Sequence, residues 1–283
     1  MKLFLLTIFL LLNIISCENK LKFKKDLIHN RTRIPFVVGG TKANFNEFPY
    51  QAALRRKYNP EGLAFCGAVI IDEHWLLTAA HCVVDDDLIP RWKTVEDIEI
   101  VIGGHELRSA KSTPFVVHPE KVVHHPKYMP SIVANDIAMI KSKESLFVRR
   151  VSQVSRAIAL PHVNQDFDGI IGTASGYGKT NGLSNLVLSP EVLKTQLLIK
   201  SQESCRYSYP DMDWSTICVT SNGEYKATCS GDSGGPLAVS FNGKKVLVGL
   251  TSYHYGECAS DFHNFFTKVS YFIPWIRETI AKN

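Results

Sequence analysis

The stretch that decides the fold is ATCSGDSGGP, Ala227 to Pro236. One hydroxyl, that of Ser233, stands between Asp232 and a pair of glycines, with Cys229 just upstream. Gly231 to Gly235 formally matches G-x-S-x-G, which in an α/β-hydrolase sits between a strand and a helix. Gly234, Gly235 and Pro236 are poor residues for starting a helix. The acid and the histidine would also have to come from Asp261, His254 or His263, the groups downstream. The serine therefore calls for a different scaffold and for partners upstream.

Outward from this stretch the chain is a series of short apolar runs separated by turn residues. FCGAVIID, IEIVIGG, FVVHPEKVVHH, DIAMIK, IIGTASGYG, VLKTQLLIK, PLAVSFNGKKVLVGLTSY and NFFTKV all have strand character. Asn242-Gly243 marks a hairpin inside the seventh of these. A helical period is expected only at the end, where Ile273, Ile276 and Ile280 suit an amphipathic helix with Pro274 in its first turn. No fixed-period repeat is visible. Many short strands with little helix give an all-β class, sandwich or barrel.

The amino-terminal end reads differently. One lysine, Lys2, precedes the apolar run Leu3 to Ile15, too short to span a bilayer. Residues 1–17 read as a secretory signal peptide, in preference to a membrane anchor or a lipoprotein site. Residues 1–36 hold seven Lys/Arg and two acids, which leaves residues 37–283 with 25 of each. The formal charge of +5 thus belongs to the leader, and no nucleic-acid footprint is indicated. KLKFKKD reads as part of a solvated pro-segment, residues 18–36. Asn30-Arg31-Thr32 in that segment is a glycosylation acceptor sequence. Beyond Cys17 six cysteines remain, an even number that suits three disulfides in an oxidising compartment. Spacing alone does not choose among the fifteen pairings that six cysteines allow.

A serine hydroxyl needs a base within hydrogen-bond reach and a third group to orient that base. LLTAAHCV offers His81, and NDIAMIK places Asp136 ahead of an apolar strand, an odd position for a charge without a partner. VVGG near residue 37, LTAAHC, NDIAMI, GYG and CSGDSGGP follow one another in this order. With these motifs the chain resembles the chymotrypsin/trypsin family of serine endopeptidases over residues 37–283, in the order histidine, aspartate, serine. The resemblance implies two six-stranded antiparallel β-barrels with a short carboxy-terminal helix. It implies Ser233 as nucleophile, His81 as general base and acid, and Asp136 as the group that orients His81. The amides of Gly231 and Ser233 would form the oxyanion hole. The implied disulfides are Cys66–Cys82, Cys205–Cys218 and Cys229–Cys258. Protein or peptide substrates, protein protease inhibitors, a monomeric secreted state and no cofactor follow from the same likeness; no membrane or nucleic-acid partner is expected.

Members of the family are made as inactive precursors, and the new amino terminus pairs with the aspartate before the serine. Here that would be Val37 pairing with Asp232, after cleavage of the Phe36–Val37 bond. An unpaired buried carboxylate is costly, so Asp232 is expected to stay elsewhere until an ammonium arrives. Phe36 departs from the usual basic residue, which argues for autoactivation or a chymotrypsin-like activator. The position that carries an aspartate in trypsin-like relatives holds Ala227, so cleavage after basic residues is not expected. Thr228, Ser230, His254 and Asn264 complete the expected specificity pocket, read first as elastase- or chymotrypsin-like and second as acid-accepting.

His118, His124 and His125 lie close in sequence, but loop histidines beside prolines are a weak zinc signal. The loop near Gly104 and Glu106 is a poor oxygen cage for calcium. No required metal is expected. The rival class is a catalytically silent relative that acts as a binding module, and labelling by an active-site phosphonylating reagent separates the two.

Overall fold

The computed structural model describes residues 39–58, 63–84, 95–107, 115–150, 153–179, 188–221, 226–256, 258 and 263–283. The expected signal peptide, pro-segment, Asn30, Phe36 and Val37 lie outside them. The strands in chain order are β1 (Thr41–Lys42), β2 (Gln51–Arg56), β3 (Ala64–Ile70), β4 (Trp75–Thr78), β5 (Ile98–Ile102), β6 (Phe115–Val117), β7 (Pro119–His124) and β8 (Ala138–Ser142). They continue with β9 (Arg149–Arg150), β10 (Gln153–Val154), β11 (Ile171–Gly176), β12 (Leu193–Ile199), β13 (Thr216–Thr220), β14 (Pro236–Phe241), β15 (Lys244–His254) and β16 (Asn264–Lys268). Two helices are present among the described residues, α1 (Gln202–Ser208) and α2 (Val269–Lys282).

The strands form two antiparallel barrels. In the first, the order is β6-β5-β2-β3-β4-β8-β7. Its two end strands are one chain segment interrupted only at His118, so the order returns to where it began and encloses six staves. In the second, β12-β11-β14-β15-β16-β13 closes through a further pairing of β13 with β12, and β1 adds to β12 from outside. This is the expected double barrel.

Side-chain alternation explains why the central strands read as unbroken apolar runs. In a strand, successive side chains face opposite sides. Ile70, Leu76 and Ile140 fill the first barrel, whereas their neighbours Val69, Leu77 and Met139 face a second core. That second core also takes Tyr177, Leu247 and Leu250 from the other barrel and Phe272, Ile273 and Ile276 from α2. The second barrel is filled by Ala174, Leu197, Val219, Leu237, Val248 and Phe266. Both faces of these strands are buried, so no polar alternation remains.

Three local features bear on the sequence reading. Asn242 and Gly243 both have positive φ, 48° and 74°, as a tight hairpin between β14 and β15 requires. Helix α1 was not expected; Ser201 caps it by accepting from the Ser204 amide at 3.2 Å, and its one buried residue is Cys205. Helix α2 begins earlier than expected, so Pro274 lies inside it rather than in its first turn. Proline removes the amide that would bond Ser270, and the Ser270 carbonyl instead accepts from the Asn164 amide at 2.9 Å. Among the described residues no helix is long and apolar enough to cross a membrane.

Candidate active site

The site is assembled at the seam between the barrels. His81 follows β4 in a short 3₁₀ turn, Ala80–Cys82. Cys82 is bonded to Cys66 of β3, sixteen residues away. A cross-link over a loop of that length stabilises by about 3 kcal/mol in the chain-entropy view. Asp136 precedes β8, and its carboxylate is only 2% exposed. One oxygen accepts from the His81 backbone amide at 2.9 Å, and the other lies 2.8 Å from His81 Nδ1. That second oxygen also accepts from Ser252 Oγ at 2.5 Å. Burial pushes the Asp136 carboxyl up, but the His81 imidazole and these hydrogen bonds outweigh it and hold the group below its ordinary value.

Asp136 belongs to the first barrel, yet the second barrel fixes it. Besides Ser252 of β15, Thr267 of β16 donates through Oγ1 to the Asp136 carbonyl at 2.6 Å. The Asn135 amide donates to Ser215 Oγ at 3.2 Å. Sequence reasoning missed Ser252, Thr267 and Ser215. The available signal was weak: Ser252 and Thr267 are small hydroxyl residues inside strand-like runs and Ser215 stands just before β13, each buried in the fold.

Ser233 is half-buried on the loop between Ala227 and β14. Its carbonyl accepts from the Gly67 amide of β3 at 2.7 Å, and the next residue's amide, Gly234 N, donates to the Thr251 carbonyl at 2.7 Å. A Cβ on Gly234 would stand 2.6 Å from the Gly67 carbonyl oxygen and 2.9 Å from the Ala79 nitrogen. The serine loop is thus pressed against the segment that delivers His81. Gly231 has φ +98°, and a Cβ there would meet Leu188 at 2.7 Å. Both facts favour glycine, as expected from its pose.

Asp232 differs from expectation. It is not held outside; its side chain is buried, with Oδ1 accepting from the Gly178 amide at 2.8 Å and Oδ2 from the Cys229 amide at 2.9 Å. These two donors offset part of the desolvation cost that the expectation rested on. Burial still pushes the carboxyl up to about 6. Any Cβ on Gly176 or Gly178 would stand within 2.4 Å of this carboxylate, so the cradle is built from glycine on two sides.

The expected pocket residues also gather here. Ala227 and Thr228 are buried and Ser230 is exposed. Thr228 donates from its amide and its hydroxyl to Asn264 Oδ1, at 2.8 and 2.9 Å. His254 pairs with Asn264 across β15 and β16. The three expected disulfides are all present, and Cys229–Cys258 ties the serine loop to the segment after β15.

The loop histidines are engaged elsewhere. His118 contacts Glu144, His124 the carbonyl of His125, and His125 packs its ring on Phe272 and Trp275. Glu106 forms an isolated bridge with Glu191. Cys66, His81 and Cys82 cluster, but the two sulfurs are bonded to each other and offer no thiolate.

Two closed antiparallel barrels with an imidazole, a buried carboxylate and a serine loop at their seam define the chymotrypsin-like serine endopeptidases. The chain belongs to the trypsin family, whose model matches residues 37–276. It is 32% identical to Trypsin-1 of Astacus astacus over 85% of this chain and 98% of that protein. It is 30% identical to Brachyurin of Leptuca pugilator, over 85% and 97%. Cathepsin G of Mus musculus is 29% identical, over 87% and 86%. The protein is a serine endopeptidase, a hydrolase acting on protein or peptide substrates.

Proposed function

We propose that the chain is a secreted zymogen that hydrolyses peptide bonds through an acyl-enzyme formed on Ser233. Ser233 Oγ attacks the scissile carbonyl carbon while His81 Nε2 takes its proton. The oxyanion accepts hydrogen bonds from the Gly231 and Ser233 amides. His81 then gives the proton to the leaving amine as the C–N bond breaks, and a water molecule repeats the sequence to release the acid. The observation that carries this reading is the Asp136 carboxylate. It is buried, bonded to both the Nδ1 side and the backbone of His81, and therefore sets the tautomer that leaves Nε2 free to accept a proton.

Activation in this reading is cleavage of Phe36–Val37, residues 18–36 being the pro-segment after removal of 1–17. The Val37 ammonium then pairs with Asp232. Support comes from the carboxylate itself: it is buried and raised to about 6, a state that a neighbouring cation relieves. Secretion is supported by the leader pattern and the three disulfides. The specificity is non-tryptic, because Ala227 brings no charge to the pocket.

A fluorophosphonate probe tests the reading. Processed protein labels at Ser233, and Ser233→Ala abolishes labelling and peptide hydrolysis. Unlabelled processed protein overturns the endopeptidase mechanism. Amino-terminal sequencing of active material is expected to begin at Val37; a start at Ile34, the product of a cut after the nearby basic residue Arg33, overturns the direct activation step.

A further inference from the structure

We propose that the substrate side chain lodged beside Ser233 is selected by the hydrogen-bond donor Nδ2 of Asn264, which favours a side chain ending in an acceptor oxygen. The chemical class is a carboxamide or a carboxylate, Gln or Glu in the first instance. The inference rests on the endopeptidase reading and concerns the same site.

Asn264 is 6% exposed. Its Oδ1 accepts from both the amide and the hydroxyl of Thr228. A backbone N–H can only donate, so the amide cannot be turned round: oxygen faces Thr228 and the NH₂ faces away. These two accepted bonds are the hydrogen bonds of the Asn264 side chain among the described residues. Its Nδ2 is therefore left to donate to whatever enters.

His254 stands directly opposite Asn264 in the β15–β16 register. Opposed side chains of an antiparallel pair lie on one face with Cβ atoms about 5 Å apart. Among the described residues His254 Nδ1 has no hydrogen-bond partner, while Nε2 lies 3.5 Å from Cys258 Sγ; that sulfur is in a disulfide and carries no proton, so Nε2 is the donor there and Nδ1 of the neutral ring is an acceptor.

The place of the cluster follows from its neighbours. Strand β15 brings Ser252 to Asp136 and, two residues later, His254 to Asn264. Thr228 begins the turn that leads through Cys229 to Ser233, and Cys229 is bonded to Cys258 beside His254. The Asn264 donor thus continues the wall on which the catalytic groups stand. An apolar side chain would leave it unpaired, and a lysine or arginine would set a donor against it. An acceptor oxygen satisfies it. This departs from the apolar pocket expected from Ala227 and the bulk of His254.

The test uses the processed enzyme and peptides that differ only in the residue before the scissile bond. Gln or Glu is expected to exceed the near-isosteric Met and Leu by about tenfold or more in kcat/KM, since a site built to donate rejects side chains that cannot accept. Gln above Glu assigns the carboxamide; Glu above Gln assigns the carboxylate. Asn264→Asp keeps both bonds from Thr228 but puts an acceptor where the NH₂ stood. It is expected to lose the Gln/Glu preference by about tenfold and to gain turnover after Lys or Arg. Fluorophosphonate titration of each sample counts competent Ser233. Competent wild-type enzyme that prefers Leu, Phe, Ala or Arg overturns this inference alone, as does a Gln/Glu preference unchanged in a competent Asn264→Asp variant. If Asn264→Asp does not fold, the wild-type panel decides. Absence of labelling in the wild type overturns the endopeptidase reading and this inference with it.

Discussion

Ser252 Oγ donates at 2.5 Å to the Asp136 oxygen that faces His81 Nδ1. The donor comes from the second barrel and the carboxylate from the first, so one hydrogen bond spans the seam and aims the acid. Ser252→Ala removes a donor to a buried charge, a bond worth about 1.5–3 kcal/mol. We expect kcat/KM on a peptide substrate to fall by tenfold or more, with a matching loss in denaturant stability. Stability that falls while kcat/KM holds would mean the bond only braces the seam.

Asp136→Asn probes the same carboxylate more severely. An amide can present its NH₂ to Nδ1 and leave Nε2 protonated, the wrong tautomer for a base. The family's own template gives a drop of about 10⁴-fold in kcat for this change. The folded-state carboxyl lies below its ordinary value. Its contribution to stability is therefore present above the unfolded value, about 3.9, and is lost as pH falls through the lower folded value. The Asn variant should lose that part of the acid unfolding limb, which urea titrations at a series of pH values would reveal.

Asp232 has the opposite sign. Its folded value, about 6, lies above its ordinary one. In the unprocessed chain its contribution is full below pH about 4 and declines as pH rises through 6. The decline should be on the order of 3 kcal/mol. Asp232→Asn should flatten it. If the Val37 ammonium pairs with Asp232 after processing, the processed enzyme should show no such loss until that ammonium deprotonates. A slope in the processed enzyme equal to that of the precursor would sink the proposed pairing.

Some of this was open to sequence reading for physical reasons. Asn242-Gly243 needs two positive φ angles, which few residue pairs accept, so the hairpin shows in two letters. The strands on the seam show as apolar runs because both of their faces are buried. Helix α1 is seven residues long with one buried side chain, too short to display a period. Pro274 was misplaced because the accommodation of its missing bond comes from Asn164, more than a hundred residues away. Ser252 and Thr267 are ordinary strand residues in sequence, and only the crossing of the barrels brings them to Asp136. Asn264 was legible as a pocket position, but the direction of its amide depends on the Thr228 N–H.

The last prediction concerns what holds the serine loop to the histidine turn. Gly234 has φ +75°, and a Cβ there would stand 2.2 Å from Thr78 Oγ1 and 2.6 Å from the Gly67 carbonyl oxygen. The Thr78 hydroxyl itself donates to that carbonyl at 2.8 Å. Gly234→Ala therefore strains the backbone, at about 1–2 kcal/mol, and overpacks the seam, at about 1–3 kcal/mol. The loop can relieve the clash only by moving away from β3 and Ala79, which takes Ser233 away from His81. Peptide turnover is thus expected to fall further than fluorophosphonate labelling, because the slow probe tolerates a poorly placed base better than the full cycle does. Adding Thr78→Ala removes the nearer of the two obstacles and leaves the carbonyl, so it should recover stability in part and turnover hardly at all. Full recovery of turnover in the double variant would show that the hydroxyl contact, not the backbone approach of the two barrels, sets the position of Ser233.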